Sequence, residues 1–517
     1  MADSYDEIPY RSLPHPDTHP THLAVIGRLL GIATPDPYRS RVLELGCAAG
    51  GNLLPLAYYL PDTECVGIER SMRQAGEGQR AIASLGLRNA RIDAADILDV
   101  GPALGRFDYI VAHGVFSWVP DAVRRRILAL CRELLAPGGL ALVSFNTLPG
   151  WRLRGALRDM LLLECRGEPT PAARLERARG LLETLAAAGP VPGVPASQHV
   201  NAEVRYLLAA HPSYLYHEYL ADTNEPLFFT DFVALAEAEG LQYVADAELA
   251  TAFPSTLGSA AERALGAIDD QLVLEQRMDF VRVRSFRKAL LCHAGADVRR
   301  EIALADLADI AYYGDLRAPE PLSLADAEPA AFGTPGGGAA EICHPLAKAA
   351  AVILGERFPD SLAFADLAGL AAGRARDAGL AAPEADDRQA LAAELFSLFA
   401  GGAVRAEPRA RRVAPSAQGL PALGPLPAWQ AARGHIPTPR HQGLELDPFA
   451  TALASRLTGT ATDAELAATM RELLATGAPR LASGGRMDPA GVDANVARLL
   501  ALFRRHGVLG PPPSGRG

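Results

Sequence analysis

The chain has 517 residues, 49% of them apolar and 21% charged, with a formal net charge of −10. That length exceeds what one hydrophobic core serves, so about two to four domains are expected, and the negative balance excludes a general coat protein for DNA or RNA. No apolar run reaches the roughly 18 residues of a membrane helix, and the acidic opening MADSYDEIPY lacks the apolar core of a secretory signal, so a cytoplasmic protein without a membrane span is expected.

The first part of the chain alternates between strand and helix patterns. Arg41 to Gly46 is a short β-branched and leucine run that ends in glycine. Gly50 to Leu60 reads as a helix, Glu64 to Glu69 as a strand, Ser71 to Leu85 as a helix and Ala90 to Ala94 as a strand. Phe107 to His113 is the next strand. Asp121 to Leu135 is an amphipathic helix, with Val123, Ile127, Leu130 and Leu134 at helical spacing. Ala136-Pro137-Gly138-Gly139 ends it, because proline cannot continue a helix and glycine supplies the reversal. Leu140 to Phe145 is another buried strand. Such alternation implies a mostly parallel sheet covered on both faces.

After about residue 165 the strand signal fades. Residues 170 to 310 read as mainly helical, broken by a Pro/Gly-rich stretch at 189 to 197, and residues 320 to 340 read as a linker. Helical patterns resume at His344 to Ala375 and Arg388 to Phe399. A second Pro-rich stretch, 414 to 429, precedes a last helical segment near 446 to 509. The tail GPPPSGRG reads as disordered. The cysteines (Cys47, Cys65, Cys131, Cys165, Cys292, Cys343) form no CxxC pair, which suits reduced thiols. Cys292-His293 and Cys343-His344 have no second ligand pair nearby. Structural zinc wants four convergent ligands, so no metal is expected.

A strand feeding a glycine turn and a helix N-terminus is a general nucleotide-binding device, since the glycines admit close backbone approach and free N–H groups face the ligand. In VLELGCAAGGN, residues 42 to 52, the middle glycine of the pyrophosphate pattern G-x-G-x-x-G is replaced by Ala48, and Glu44 stands two residues before the turn. This suits a ligand without a pyrophosphate, with Glu44 in reach of an ammonium. Glu69 ends the second strand, where an acid holds ribose hydroxyls. Asp96-Ile97 follows the third, placed to bond an adenine amino group and to pack its ring. Each acid alone is more simply a surface carboxylate or helix cap; together, at strand ends beside a glycine turn, they point to a site.

LELGCAAGGN, GIERS, AADIL and LAPGGLALVS, in this order, resemble the motifs of class I S-adenosylmethionine-dependent methyltransferases over about residues 20 to 150. THPTHLAVIGRLLG (18–31), HGVFSWVP (113–120), SFNTLPGW (144–151), YLYHEYLADTNEPLFFTDF (214–232) and DFVRVRSFRKALLC (279–292) extend the resemblance. They are similar to bacterial methyltransferases with a methyltransferase regulatory domain, a group that includes rickettsial protein lysine methyltransferases of outer-membrane proteins. One departure is PHPD at 14 to 17, where an aromatic before THP is sought. The resemblance implies a Rossmann-like, doubly wound α/β sheet, then a mainly helical middle domain and a C-terminal winged-helix-like region. The expected divisions are 1–165 for the cofactor-binding methyltransferase domain, 166–315 for a helical regulatory or lid domain and 316–427 for a helical or winged-helix-like domain with a linker. A winged-helix-like module follows at 428–510, begun by HIPTPRHQGLELDPF (435–449), and a disordered tail at 511–517. The implied cofactor is S-adenosylmethionine, held by Glu44, Gly46, Cys47, Ala48, Gly50, Asn52, Glu69, Arg70, Asp96, Ile97, His113 and Gly114.

The implied activity is methyl transfer to protein side chains, foremost lysine. His113, Asn146 and Glu218 are the catalytic candidates. Phe116, Trp118, Trp151, Tyr216 and His217 are candidates for the acceptor channel, where aromatic faces favour a cation. For Phe116 the simpler role is packing on the following helix, and for Asn146 it is bracing a loop. On an α-helix, 215 and 219 would share one face and 214 and 218 another. A small-molecule methyltransferase and a non-catalytic S-adenosylmethionine-binding module are the competing readings. The long C-terminal half favours a macromolecular acceptor. Arg409, Arg411 and Arg412 are the only basic cluster near the end, and a solvated loop accounts for them, so no nucleic-acid partner is expected.

Overall fold

The computed structural model describes residues 7–8, 10–380, 385–413, 420–475 and 491–510; the expected tail, 511–517, lies outside them. A seven-stranded sheet organises the molecule: β1 (Arg41–Leu45), β2 (Glu64–Glu69), β3 (Ala90–Ala94), β4 (Phe107–Ala112), β5 (Leu135–Asn146), β6 (Leu241–Asp246) and β7 (Phe286–His293). Their order is β3-β2-β1-β4-β5-β7-β6. The first five run parallel, and β7 is antiparallel to both its neighbours. Alternate side chains point to opposite faces, as the strand period requires. Val42, Cys65, Tyr109 and Leu140 join one buried cluster with α1 (Pro20–Leu29) and α2 (Leu53–Tyr59). Leu43, Val66, Ile110 and Ala141 join the other. On the first face α3 (Met72–Leu85) adds Ala75, its N-terminus capped where the Ser71 hydroxyl accepts from the Gln74 N–H. On the second, α4 (Asp121–Leu134) packs Ile127, Leu130 and Leu134.

Two expectations are corrected here. Residue 165 does not end the sheet unit, because β6 and β7 arise from the stretch read as helical. The strand signal was masked by buried charge. Arg287 on β7 is fully buried and donates to Glu275 and Asp279 at 2.8–2.9 Å. The turn Ala136–Gly139 does not precede the fifth strand but is part of it, with Leu135 already paired to Phe107.

Between β5 and β6 the chain forms α5 (Gly150–Glu164), α6 (Pro171–Ala188), α7 (Pro195–Ala209) and α8 (Phe229–Ala238). The cluster at 214–219 is not a regular α-helix. A single α turn, Pro212–Leu215, opens into a wider π-helical turn, Tyr216–Leu220. The expected face pairing of 215 with 219 and 214 with 218 therefore does not apply. Helix α9 (Gln271–Arg282) supplies Glu275 and Asp279.

The stretch 320–340 is not only linker, since it contains β9 (Ala330–Gly333), which pairs with β10 (Ala339–Ile342). Further on, β8 (Ala311–Tyr313) sits between β11 (Leu362–Ala363) and β12 (Arg405–Glu407). Three helices, α10 (Pro345–Arg357), α11 (Phe364–Asp377) and α12 (Ala385–Ala400), share one continuous core with α1 and the first face of the sheet. Arg409 and Arg411 do not form a wholly solvated loop: both guanidinium groups lie over the Tyr38 ring, at 4.4 and 5.2 Å. The region expected to be winged-helix-like comprises α13 (Pro425–Ala431), a hairpin of β13 (His435–Pro437) and β14 (Gly443–Glu445), then α14 (Pro448–Ala454), α15 (Asp463–Ala475) and α16 (Val492–Arg505). Among the described residues no helix is long and apolar enough to cross a membrane.

Candidate functional site

A cavity of about 320 Å³ opens at the carboxyl ends of β1, β2 and β4. Parallel sheets place ligands at this edge, where helix N-termini converge. Glu44, Gly46, Cys47, Ala48, Asn52, Glu69, Arg70, Asp96, Ile97, His113 and Gly114 all line it. Gly50 does not. Its part is to shape the turn, with φ of 79° and an N–H donating to the Cys47 carbonyl at 2.9 Å. Gly46 has φ of 74°, and a Cβ there would lie 2.5 Å from Val115 Cγ2.

The carboxylates are held differently. Glu69 accepts from the Ala48 N–H and the Ser71 N–H, both at 2.8 Å, and so ties β2 to the turn. Asp96 accepts from the Leu98 N–H at 3.0 Å and faces Arg70 at 3.7 Å. Glu44 is buried. One of its oxygens accepts from Asn52 Nδ2 at 3.0 Å, and the other is buried without a partner. Burial pushes this carboxyl up to about 8, with nearby Glu69 adding to the rise and the Asn52 bond opposing it. His113 is half-buried, its Nδ1 buried and unpartnered and its ring 4.3 Å from that of His15. Burial, with His15 and Lys288 nearby, lowers its pKa well below the ordinary value, so it is neutral.

Sequence reasoning missed the strap over this cavity. Tyr10, Arg11, Ser12, Leu13 and His15 all line it. The Gly51 N–H donates to the Ser12 hydroxyl at 2.7 Å, and a Cβ on Gly51 would lie 2.0 Å from the Ser12 carbonyl oxygen. The aromatic sought just before THP is absent, but Tyr10 lies upstream with its ring 5.6 Å from that of His217. Gln74 and Phe286 were also missed as lining residues. Glycine doublets of this kind hint at close backbone approach, and that signal in Gly50-Gly51 was available.

Of the acceptor-side candidates, Trp118, His217 and Glu218 line the cavity. The π-helical turn carries the last two inward, and His217 Nε2 lies 2.6 Å from the Ile8 carbonyl of the strap. Glu218 is pushed up to about 7 by burial, against the pull of Arg154. The other candidates are structural here. Phe116 is fully buried, 5.4 Å from the Phe232 ring, which itself stacks on Phe145. Trp151 is buried between Trp118 and Tyr219, at 6.1 and 5.8 Å. Tyr216 is buried in a separate cluster with Leu157 and Leu161. Asn146 Nδ2 donates to the Asn224 side chain at 3.0 Å and braces the loop.

Comparison with known proteins agrees with this geometry. A family model described as a methyltransferase domain matches residues 42–139, and one described as a predicted methyltransferase regulatory domain matches 211–293. Protein RP028 of Rickettsia prowazekii is 34% identical over 234 residues, 45% of this chain and 94% of that protein. Protein RP789 of the same organism is 37% identical over 298 residues, 58% of this chain and 54% of that protein, so the match spans about half of that relative's length. Among solved structures, PKMT2 from Rickettsia typhi in complex with AdoHcy is 26% identical with a TM-score of 0.83, covering 97% of this chain and 100% of that one. Trans-aconitate 2-methyltransferase from Variovorax paradoxus is 32% identical, but over only 110 residues, 21% of this chain and 40% of that protein.

Proposed function

Given that this chain belongs to the S-adenosylmethionine-dependent methyltransferases that carry a methyltransferase regulatory domain, we propose that its acceptor is a lysine side chain of a protein, of the outer-membrane or surface class. The observation that carries this reading is the likeness to PKMT2 over nearly the whole chain, regions beyond the cofactor core included. That name denotes a protein lysine methyltransferase. The trans-aconitate enzymes are matched over a short stretch alone, so a small-molecule acceptor has less support.

Bound S-adenosylmethionine supplies a methyl group activated on a sulfonium. The residues fit it, because the buried, unpartnered oxygen of Glu44 is what an amino-acid ammonium satisfies. Glu69 serves the ribose, while Asp96 and Ile97 serve the adenine. The chain's own task is then to orient the acceptor and take its proton. Trp118 offers an aromatic face to a cation, and the apolar lining favours the uncharged amine. Glu218, with its carboxyl near 7, is the group placed to accept the proton.

The test uses purified protein, labelled S-adenosylmethionine and separated extracts of the source cells. Label on lysine of a protein band, located by peptide mass analysis, is the expected result. Label confined to small molecules overturns the lysine reading.

A further inference from the structure

One atom of Asn52 gathers bonds from distant parts of the chain. Its Oδ1 accepts from the His15 backbone N–H at 2.9 Å and from His441 Nε2 at 2.7 Å, and the Thr18 hydroxyl, whose one hydrogen also faces the His15 carbonyl at 2.8 Å, lies 3.1 Å away. A backbone N–H can only donate, so the atom facing it is the amide oxygen, and the orientation of the amide is fixed without further assumption. The amide nitrogen then faces Glu44 Oε1 at 3.0 Å. Holding that oxygen leaves the other Glu44 oxygen as the one without a partner. Three residues, His441, Asn52 and Glu44, are thereby linked in series, and the far end of the series lies 389 positions along the chain from Asn52.

His441 is built to stay where it is. It has φ of 58°, which a side-chain-bearing residue rarely adopts without local support. The support is a closed turn: the Thr438 N–H donates to the Gln442 carbonyl at 2.8 Å and the His441 N–H to the Thr438 carbonyl at 2.9 Å. Next to it, Arg440 is anchored by Glu407 at 2.9 Å and by the Pro359 carbonyl at 2.7 Å, with its guanidinium over the Tyr313 ring. The ring of His441 is buried and neutral, held down to about 3, so one nitrogen carries a proton and Nε2 is the donor its partner requires.

We propose that His441 is a positioning residue for the cofactor's amino-acid tail: the C-terminal region completes the cofactor site by fixing the Asn52 amide, which fixes Glu44. The C-terminal region thus acts on the tail and leaves the adenosine half alone. This rests on the cofactor reading of the cavity given above.

Two ligands separate the tail from the rest. S-Adenosylhomocysteine carries the amino-acid tail, and 5′-methylthioadenosine carries adenosine and thioether without it. Titration calorimetry of the full chain would measure both. His441→Gly removes the donor and suits the positive φ, and S-adenosylhomocysteine should bind about tenfold more weakly, as for the loss of one well-made hydrogen bond. The methylthioadenosine affinity should stay within about twofold, inside the spread of a distant, uncoupled site. His441→Gln restores a donor and should recover part of the loss. Should the glycine variant not fold, Asn52→Asp keeps the oxygen acceptors and deletes the donor to Glu44, with the same selective loss expected. Equal weakening of both ligands, or no change in either, overturns the proposal. Failure of the unaltered protein to bind either ligand instead removes the cofactor reading beneath it.

Discussion

Glu44 makes cofactor binding a proton-linked event. Its carboxyl is raised to about 8 by burial, with Glu69 adding to the rise. At pH 7 it is therefore about nine-tenths protonated, and ionising it costs about 1.4 kcal/mol. An arriving ammonium favours the charged form, so binding expels the proton. The amine of the free amino-acid tail, raised by its own carboxylate, is already protonated at pH 7 and returns almost no proton, leaving a net release of roughly 0.9 per ligand. The sign follows: the raised pKa belongs to the free protein, so affinity rises with pH toward 8, roughly tenfold between pH 6 and 7, and turns over as the amine loses its charge. Calorimetry of S-adenosylhomocysteine in buffers of different ionisation enthalpy reads the release directly. Glu44→Gln should abolish it and flatten the profile between pH 6 and 7. A net release near zero in the unaltered protein would refute the reasoning.

Glu218→Gln should leave cofactor affinity unchanged and lower turnover on the order of 10²-fold; the unaltered enzyme's rate should climb with pH through about 7, as a base that must be ionised requires, and the variant's should not. Gly51→Ala places a methyl group against the Ser12 carbonyl, so the strap must lift; weaker cofactor binding and faster proteolysis near residue 10 are expected, and an unchanged affinity would show the strap is not needed. Asp17 lies between Lys288 and Arg405 at 2.5 and 2.6 Å; Asp17→Asn leaves Arg405 without this partner while Lys288 keeps Glu248 at 2.5 Å, a loss of about 3 kcal/mol in a urea melt at pH 7. Because those cations hold the Asp17 carboxyl well below the usual range, its contribution is full at neutral pH, begins to fade as pH falls through the ordinary carboxylate range, and is gone below the lowered value.

The cofactor half of the site was legible because it is local. Strand, turn and helix lie within residues 41–59, and Glu44, Glu69 and Asp96 each follow from the end of an element in a regular alternation. What escaped was non-local or masked by charge. Nothing adjacent to Asn52 announces His441. Strands β6 and β7 were hidden because Arg287 reads as surface until Glu275 and Asp279 are seen around it, and because β7 opens with Phe286-Arg287-Lys288. Trp151, and Phe116 only as second choice to packing on the following helix, were channel candidates from their place after β5 and β4. Their large apolar area instead fills the space between the sheet and the helices that follow it, as burial of aromatics favours. The segment matched as a regulatory domain, 211–293, supplies α8, β6, α9 and β7, so it is part of the sheet's framework as well as the source of His217 and Glu218.

The charge pattern of the cavity bears on which ligands it can draw in. S-Adenosylmethionine carries a sulfonium and an ammonium against one carboxylate, and a lysine acceptor brings a second ammonium. A cationic histidine beside them would repel. Burial removes that obstacle at three histidines: His15 is lowered to about 4, His441 to about 3, and His113 well below its ordinary value. Two carboxyls are moved the other way, Glu44 to about 8 and Glu218 to about 7. At physiological pH Glu44 is mostly protonated and Glu218 stands near its midpoint, so each shifts toward the anion when a cation sits beside it. Such a cavity avoids holding bare buried charge before binding and gains ion pairs after it. An acceptor without a basic nitrogen would offer Glu218 no cation to ionise against, which is the electrostatic reason for preferring an amine as the methyl acceptor over an acid or an alcohol.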